Sequence, residues 1–183
     1  MDDERLIRPT GDYNKLFCYQ KAEAIYDATH YFAHTFLRRG DRTIDQMVQA
    51  ARSGKQNISE GYSRAGTSIK TAITLIDVAK SSLIELHDDY RDFLRTRGFR
   101  QWEEDSKEWQ AMRNLGRIHN DSAFYMPIVT TRPPETIANM VICLQKQTDY
   151  LLDKLLQKME KQFLEEGGFR ERMTKMRVET RKS

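Results

Sequence analysis

Cysteine is scarce in this chain, which has only Cys18 and Cys143 among its 183 residues. Neither cysteine lies in a CxxC or zinc-type spacing, so the sequence supports no metal-binding framework. Both fall within apolar helical patterns, where a cysteine is typically a small buried hydrophobic residue. We therefore predict two buried thiols, which fits a reducing compartment.

Long apolar runs are missing as well. No window of 18 apolar residues occurs, so we expect no transmembrane span. The N-terminal sequence MDDERLIRPTGDY lacks the apolar centre of a signal peptide. These absences favour a cytoplasmic protein that has no membrane partner.

Sequence motifs for catalysis and cofactor binding are also absent. Neither GxxxxGK nor GxGxxG occurs, and there is no nucleophile elbow. His30 and His34 are four residues apart and can share a helix face, but the chain has no Glu-x-x-His, which metal sites in helical bundles use. His87 lies beside Asp88 and Asp89 near a helix end, where we expect a solvated face. The sequence therefore predicts no enzyme, no cofactor and no metal site.

Proline and glycine are few, with four prolines and nine glycines, and the glycines mark the ends and junctions of amphipathic patterns. Apolar residues at alternating steps of three and four predict helices. The predicted helices run from about Asn14 to Leu37, Asp41 or Thr43 to Arg64, Thr67 or Ser68 to Arg97, Glu103 to Ile118, and Pro134 to Glu165. We expect a loop at AFYMPIVTTRPP, and either a short helix or disorder at FRERMTKMRVETRKS.

Four long amphipathic helices with short links favour an all-α fold. The arrangement that we predict is an antiparallel up-down four-helix bundle with an extra short connector helix and a basic C-terminal tail. The predicted parts are an N-terminal arm at 1–12, the bundle at 13–166 with a connector insertion at 98–133, and a basic suffix or tail at 167–183.

The second predicted helix, DRTIDQMVQAARSGKQNISEG, carries almost no large apolar residues. Gly54 in its middle costs about 1 kcal/mol relative to alanine, so we predict that another backbone approaches closely there. The outer face of this helix mixes amides with a cation, and we expect it to meet another subunit or a phosphate backbone. The interface candidates on this face are Gln46, Gln49, Gln56 and Asn57, beside Arg52.

Positive charge is concentrated locally, although the net charge is only +3. Residues 170–183 hold six Lys/Arg and two Glu, a net +4, which leaves −1 for residues 1–169. An up-down bundle would also gather seven arginines at one end, namely Arg38, Arg39, Arg42, Arg91, Arg95, Arg97 and Arg100. The alternative for this end is a solvated face with internal ion pairs.

Candidate phosphate contacts come from these clusters and from the second predicted helix, because Lys and Arg bind the nucleic-acid backbone. Trp102 and Trp109 are predicted to fasten the connector helix onto the bundle, with base stacking as the alternative. The nucleic-acid-binding candidates are Arg38, Arg39, Arg42, Arg52, Lys55, Arg170, Arg172, Lys175 and Arg177.

Three segments of the chain resemble a known family. GDRTIDQMVQAARSGKQNISEG resembles the signature helix of the four-helix-bundle proteins first noticed as reading frames in ribosomal-RNA intervening sequences. YNKLFCYQKAEAIYDATHYF is similar to the first helix of that family. ANMVICLQKQTDYLLDKLLQKMEKQFLEEGGFRERM resembles the C-terminal suffix segment of one branch.

The resemblance implies an up-down four-helix bundle that assembles into a ring, which is pentameric in known relatives. One distant relative, the accessory protein Avd of diversity-generating retroelements, binds a reverse transcriptase and nucleic acid. We therefore expect a non-enzymatic homo-oligomer that binds RNA or DNA, alongside a reverse transcriptase or other nucleic-acid machinery. The alternative is a protein–protein scaffold or adaptor that does not bind nucleic acid. The small net charge, the segment at 98–133 and the C-terminal tail are departures from Avd.

Overall fold

The amphipathic segments form seven α-helices in the computed structural model, which describes residues 10–181 without the side chains of Glu166, Phe169, Arg170, Arg172 and Lys175. The helices are α1 (Phe17–Phe36), α2 (Arg42–Arg64), α3 (Ile69–Thr96), α4 (Lys107–Ile118), α5 (Ser122–Val129), α6 (Pro134–Glu166) and α7 (Phe169–Thr180), and a 3-10 turn at Tyr13–Lys15 precedes them. Residues 10–181 contain no strand, so the predicted all-α class is confirmed. Most of the predicted arm at 1–12 lies outside the described residues.

Polar caps and glycines set the helix ends. The Asp41 carboxylate accepts a hydrogen bond from the N–H of Thr43 (2.9 Å) at the start of α2. Ser68 Oγ accepts from the N–H of Thr71 (3.3 Å) at the start of α3. Gly98 follows α3 with a φ of 67°, a conformation that favours glycine. The predicted bounds of α2 and α3 agree with the observed ones because these caps are local.

The long helices share one apolar core. α1 contacts α2 and α6, and α3 contacts the same two helices. Phe32 of α1 also reaches α3, with its ring centroid 5.0 Å from that of Tyr90 and 4.7 Å from that of Phe93. The Tyr90 hydroxyl donates a hydrogen bond to Thr29 Oγ1 (3.1 Å) in the same buried layer. Aromatic packing thus joins the C-terminal part of α1 to the C-terminal part of α3.

Polar contacts align α3 with α6. Gln145 Nε2 donates to the carbonyl of Leu83 at 3.4 Å. About one turn earlier on α3 and one turn later on α6, Lys80 lies 3.2 Å from Asp149. These two contacts join the middle of α3 to the middle of α6.

The predicted close approach at α2 is found, but its partner differs between two glycines. A Cβ on Gly54 would lie 2.8 Å from the side chain of Leu83, so the tightest neighbour there is a side chain rather than the expected backbone. A Cβ on Gly61 would lie 3.1 Å from the carbonyl oxygen of Ala72, which is backbone. The small residues of α2 let α3 pack closely against it.

The loop predicted at AFYMPIVTTRPP is wrong, because most of this segment forms α5. Asp121 accepts a hydrogen bond from the N–H of Phe124 (3.0 Å) and starts the helix. Tyr125 and Val129 are buried against α1. Pro127 has no N–H to donate, but a helix of 8 residues has few internal hydrogen bonds to lose. Burial of the apolar side chains outweighs the proline signal.

The C-terminal tail is helical, which decides between the two predicted alternatives. α7 spans Phe169–Thr180, after Gly167 ends α6 with a φ of 69°. The Gly168 N–H donates to a carboxylate oxygen of Glu171 (2.6 Å) at the start of α7. Within residues 10–181, no helix combines the length and apolar content needed to cross a membrane.

Candidate nucleic-acid interface

The turn between α1 and α2 presents three arginines to solvent. Arg38 and Arg39 follow the end of α1, and Arg42 is the first residue of α2. All three side chains are exposed, and none forms an ion pair with another residue of the described range. Gly40 has a φ of 84°, so the turn that carries them favours glycine. The three unpaired guanidinium groups outnumber the one carboxylate among these five residues, that of Asp41, so the turn is net positive and attracts an anion.

The arginines of α3 behave differently. Arg91 lies 3.6 Å from Asp88, and Arg95 lies 2.8 Å from Asp92, each one turn away on the same helix. The Arg97 guanidinium lies over the ring of Phe93, 4.1 Å from its centroid. The predicted alternative of internal ion pairs therefore describes α3, whereas the arginines at the start of α2 keep their charge free.

The two arginine groups are close enough to share charge effects. The N–H of Thr43 holds the pKa of the Asp41 carboxyl below its usual range, and the positive charge of Arg97 lowers the pKa further. Asp41 precedes the first residue of α2 and Arg97 follows the last residue of α3, so these two helix ends are close enough for their charges to interact.

The outer face of α2 is solvent-exposed over most of the predicted stripe. Gln46, Gln49, Arg52 and Gln56 are all exposed. Arg52 forms no ion pair among the described side chains. This face offers amide donors, amide acceptors and one cation together, which suits contact with a phosphate backbone or with a second protein surface.

Asn57 belongs to an internal network rather than to that stripe. Its Nδ2 donates to the carbonyl (2.9 Å) and to the hydroxyl (3.2 Å) of Ser53. The Ser53 hydroxyl in turn hydrogen-bonds to that of Ser82 on α3 (2.9 Å). Asn57 is half-buried, and its amide is bonded within α2 to Ser53, the residue whose hydroxyl joins α2 to α3.

Lys55 also turns inward. It is half-buried, its Nζ lies 3.7 Å from Glu23, and the same atom lies 4.7 Å from the centroid of the Tyr26 ring. The Lys55 ammonium group therefore contacts α1, whereas the sequence predicts that it contacts phosphate.

The tail candidates lie on α7. The structure gives the backbone of Arg170, Arg172 and Lys175 a helical conformation, while their side chains lie outside the description. Arg177 is exposed near the end of the same helix. The tail therefore carries its cations on a helix.

Sequence reasoning missed a cleft of about 710 Å³ between α1, α4 and α6. Its aromatic lining comes from all three helices: Phe17 of α1, Trp109 of α4 and Tyr150 of α6. Trp109 is buried, which agrees with its predicted role of fastening α4, while Phe17 and Tyr150 are 59% and 61% exposed at the rim. No local pattern gives this site, because its walls are far apart in the chain.

Cations outnumber acids in the cleft. Arg113 and Arg117 lie on α4, Lys146 lies on α6, and Lys21 lies on α1, whereas Glu104 is the one carboxylate of the lining. The Arg113, Arg117 and Lys146 side chains are exposed and form no ion pair within the described part of the chain. An anion entering the cleft would meet a net positive wall.

Lys21 has a structural partner. Its Nζ donates to the carbonyl of Gly116 (2.6 Å) and to that of His119 (3.3 Å), at the C-terminal end of α4. The ammonium group thus satisfies carbonyls that lack an intrahelical donor and opposes the negative end of the helix dipole. Burial lowers the pKa of Lys21 to about 8. This lysine bridges α1 to α4 at the edge of the cleft.

The floor of the cleft is formed by Gly116, Gln147 and Cys143. A Cβ on Gly116 would lie 2.0 Å from Gln147 Oε1, so the two residues are in close contact. Gln147 Nε2 donates to the carbonyl of Arg113 (3.2 Å), whereas Gln147 Oε1 is buried without a hydrogen-bond donor in the described range. Burial raises the pKa of the Cys143 thiol to about 12. The floor is polar and its thiol is protonated.

The histidines show one agreement and one correction. His30 and His34 are exposed and stacked, with ring centroids 4.3 Å apart, in agreement with the shared helix face that their spacing indicates. His87 does not lie on a solvated face: it is half-buried, and its Nε2 is buried with no partner in the described residues. Burial against α6 accounts for the difference, because His87, Gln145 and Lys146 line one small pocket.

Among the described residues, no group of three or more His, Cys, Asp and Glu is arranged to hold a metal ion. Comparisons of the chain with protein-family models, with curated proteins and with solved structures each found no match.

Proposed function

We propose that this chain is a non-enzymatic, homo-oligomeric helical protein that binds nucleic acid, as an accessory to a reverse transcriptase or to other RNA or DNA machinery. The observation that carries this proposal is the exposed, unpaired group of Arg38, Arg39 and Arg42 at the α1–α2 turn. Arg52 extends the positive charge along α2. Guanidinium groups of this kind bind phosphate oxygens without reading the base sequence.

The architecture that we propose for this function is an antiparallel four-helix bundle of α1, α2, α3 and α6. Contacts between α2 and α3 run from Ser53 with Ser82 to Gly61 with Ala72, which is the order of antiparallel neighbours. The α3–α6 contacts follow the same rule. The resemblance to the ribosomal-RNA intervening-sequence family, in its suffix branch, supports both this arrangement and a ring of subunits.

A non-enzymatic role agrees with the chemistry of the thiols. Burial raises the pKa of Cys18 to about 11 and that of Cys143 to about 12, so both remain thiols at neutral pH. The thiolate is the nucleophilic form of cysteine, so neither residue is activated for attack.

A binding titration tests the proposal. Fluorescence anisotropy of labelled single-stranded RNA, single-stranded DNA and duplex DNA is measured with the full chain at low and moderate salt. Replacing Arg38, Arg39 and Arg42 together by alanine should weaken binding to all three. The slope of log affinity against log salt should fall by about 2 to 3, because each lost phosphate contact removes roughly 0.7 to 0.9 of slope.

The matched control replaces three other exposed cations by alanine. Arg64 and Lys70 lie near the α2–α3 junction, and Lys158 lies beside that junction on α6. This variant has the same net charge as the first and should retain most of the binding. Absence of binding at low salt by the unmodified chain would contradict the proposal. Equal losses of affinity in the two variants would show that the arginines at the α1–α2 turn have no special role and that the chain attracts nucleic acid only through its overall charge.

The oligomer is tested separately by light scattering. We expect a mass several times 21.6 kDa, and we expect glutamate replacements at Gln46 and Gln49 to lower it, because both lie on the exposed face of α2. A monomeric mass at micromolar concentration would remove the homo-oligomer from the proposal and leave the binding test unaffected.

A protein–protein scaffold is the second candidate, and exposed apolar side chains favour it. Leu164 near the end of α6 is 82% exposed, and Ile118 at the end of α4 is 73% exposed. Such side chains suit a protein partner better than a phosphate backbone. No nucleic-acid binding at low salt, together with concentration-dependent association that Leu164→Lys abolishes, would favour this candidate.

A further inference from the structure

We propose that the cleft between α1, α4 and α6 binds a nucleotide unit, either free or within a single strand. This inference rests on the proposed function and deepens it by assigning a site to the base. The base lies against Phe17 and Tyr150 at the rim, and the phosphate is bound by Arg113, Arg117 and Lys146.

The aromatic rim carries the part of the argument that concerns the base. Phe17 and Tyr150 are large apolar rings, and more than half of the surface of each is exposed on two different helices. An aromatic ring exposed at a cleft mouth is a stacking platform, because every base has a π-face. The Lys154 Nζ lies 5.6 Å from the centroid of the Tyr150 ring, so a base that stacks there displaces this exposed ammonium or uses the other face of the ring. Neither ring is needed to close the core, since Trp109 already packs α4 against α6.

The cations carry the part that concerns the phosphate. Lys21 is already committed to the carbonyls at the end of α4. Arg113 and Arg117 are one turn apart on α4, and Lys146 is on α6, so the three remaining charges come from both walls. None of these three side chains forms an ion pair with a residue of the opposite wall in the described range. An anionic group placed between the walls would be held from both sides.

The polar lining suits the edges of a base or a sugar. Gln110 and Asn120 offer amide donors and acceptors, and Glu104 offers an acceptor to an amino or hydroxyl group. Gln147 Oε1 on the floor is buried and lacks a donor among the described residues. A buried acceptor of this kind costs stability unless a ligand or water donates to it.

The size of the cleft agrees with this ligand class. About 710 Å³ lies within the range of roughly 300 to 1,000 Å³ that small-molecule and cofactor sites occupy. A duplex would not reach the base-stacking surface, because its bases are paired and stacked on one another. The site is therefore expected to prefer a free nucleotide or an unpaired strand.

Fluorescence of Trp109 provides the measurement. A Trp102→Phe background leaves Trp109 as the single tryptophan, and this residue lines the cleft. The full chain is titrated with adenosine, guanosine, cytidine and uridine monophosphates, with inorganic phosphate, and with an eight-nucleotide single strand. We expect saturable quenching by the nucleotides or the strand and none by phosphate alone.

Two variants test the contacts. Tyr150→Ala should weaken binding about 5-fold to 150-fold, the range measured for removal of a stacking aromatic side chain, while Tyr150→Phe should bind within about two-fold of the unmodified chain. Arg117→Ala should also weaken binding. Phe163→Ala and Arg132→Ala are the matched controls, since these exposed residues lie outside the cleft, and both should bind normally.

Each outcome decides between the alternatives. Binding of monophosphates that Tyr150→Ala weakens assigns a free nucleotide, and binding of the strand alone with the same loss assigns a single-stranded nucleic acid. Strand binding unchanged in both cleft variants overturns the inference and leaves the proposed function to the arginines at the α1–α2 turn. Equal binding of phosphate and nucleotides, or quenching by neither nucleotide nor strand, overturns the inference as well.

Discussion

At the scale of single residues, two glycines of α2 differ in what an added methyl group would meet. At Gly54 the nearest atoms belong to the side chain of Leu83, which can change its rotamer. At Gly61 the Ile76 side chain lies 2.9 Å from the ideal Cβ, and the carbonyl oxygen of Ala72 lies only 3.1 Å away as well. Backbone in a packed helix cannot move away alone. The two positions therefore respond differently to the same substitution.

We predict that Gly61→Ala lowers the free energy of unfolding by about 1 to 3 kcal/mol, the usual cost of overpacking. Gly54→Ala should be closer to neutral: both substitutions gain up to about 1 kcal/mol in helix propensity, but only at Gly54 do the closest atoms all belong to a side chain that can move. Gly54→Leu, in contrast, adds more volume than one side chain can yield and should disrupt the packing of α2 on α3. Urea unfolding followed by circular dichroism measures all three, and equal stability of the two alanine variants would contradict the prediction.

His87 gives a residue-scale prediction about pH. Burial lowers the pKa of His87, and the charges of Lys146 and Arg91 lower it further, while Asp88 opposes these effects. The unfolded chain therefore binds a proton at a higher pH than the folded chain does, so acidification through the region below 6.5 should reduce the stability of the folded state.

The measurement is the midpoint of urea unfolding at pH 7.5 and at pH 5.5, for the unmodified chain and for His87→Gln. The unmodified chain should lose more stability than the variant over this interval, because glutamine has no proton to gain. Identical losses in the two proteins would show that His87 takes no part in the pH dependence.

At the scale of elements, Lys21 fastens α4 to the rest of the molecule. Lys21→Met keeps the length of the side chain and removes the donor to the carbonyls of Gly116 and His119. We predict a loss of about 1 to 3 kcal/mol, which is the cost of leaving buried carbonyls without a donor. Hydrogen exchange should increase first in the amides of α4, because the lost contacts lie at the end of that helix.

Lys70→Met is the control for this prediction, since Lys70 is exposed at the start of α3. It should leave both the stability and the exchange of α4 unchanged. Exchange that rises evenly over all helices in Lys21→Met would indicate a loss of global stability without any special role at α4.

The long helices were predictable from sequence because their information is local. Apolar spacing predicts the buried face of each helix. Asp41, Ser68 and Gly98 are residue types typical of helix ends, and they mark the starts of α2 and α3 and the end of α3. α5 was not predictable in the same way. Pro127 argues against a helix, and only the burial of Tyr125 and Val129 against α1 outweighs that signal.

The candidate site residues also differ in whether local sequence or tertiary contacts determine their position. The exposure of Arg38, Arg39 and Arg42 was predictable, because a turn between two helices lies at the protein surface and its charged side chains contact solvent. The inward turn of Lys55 was not, since it depends on Glu23 and Tyr26 of another helix. The cleft was hidden for the same reason: Lys21 and Gly116 are 95 positions apart, and only tertiary packing brings them together.

At the scale of the whole molecule, buried acidic groups are distributed through the shared core. Burial raises the pKa of Cys18 to about 11 and the pKa values of Cys143 and Tyr125 to about 12. It raises the pKa of the Tyr90 hydroxyl as well. These four groups lie on α1, α3, α5 and α6, so their titration is tied to unfolding of the entire core rather than of one helix.

The pH dependence of global stability follows from the sign of these shifts. In the unfolded chain the thiols and phenols release protons near their ordinary pKa values of 9.0 and 10.0, while the folded chain keeps them protonated to higher pH. Their contribution is therefore fully present below about pH 9 and is lost as the pH rises toward 11 to 12. Lys21 acts in the opposite direction, because its folded pKa of about 8 lies below the ordinary 10.5, so it offsets part of this loss.

We predict that the free energy of unfolding falls between pH 9.5 and 11, and that the Cys18→Ala, Cys143→Ala double variant shows a shallower fall than the unmodified chain. Removing both thiols removes two of the four groups that resist ionisation, at the cost of a lower starting stability at pH 7.5. The comparison is therefore made on the slope of stability against pH, measured by urea unfolding at several pH values, and not on stability at a single pH.

Tyr90→Phe should reduce the slope further, since phenylalanine keeps the ring packed against Phe32 and has no proton to release. A slope that is the same in all of these proteins would mean that surface charge repulsion, and not the buried acids, governs alkaline unfolding.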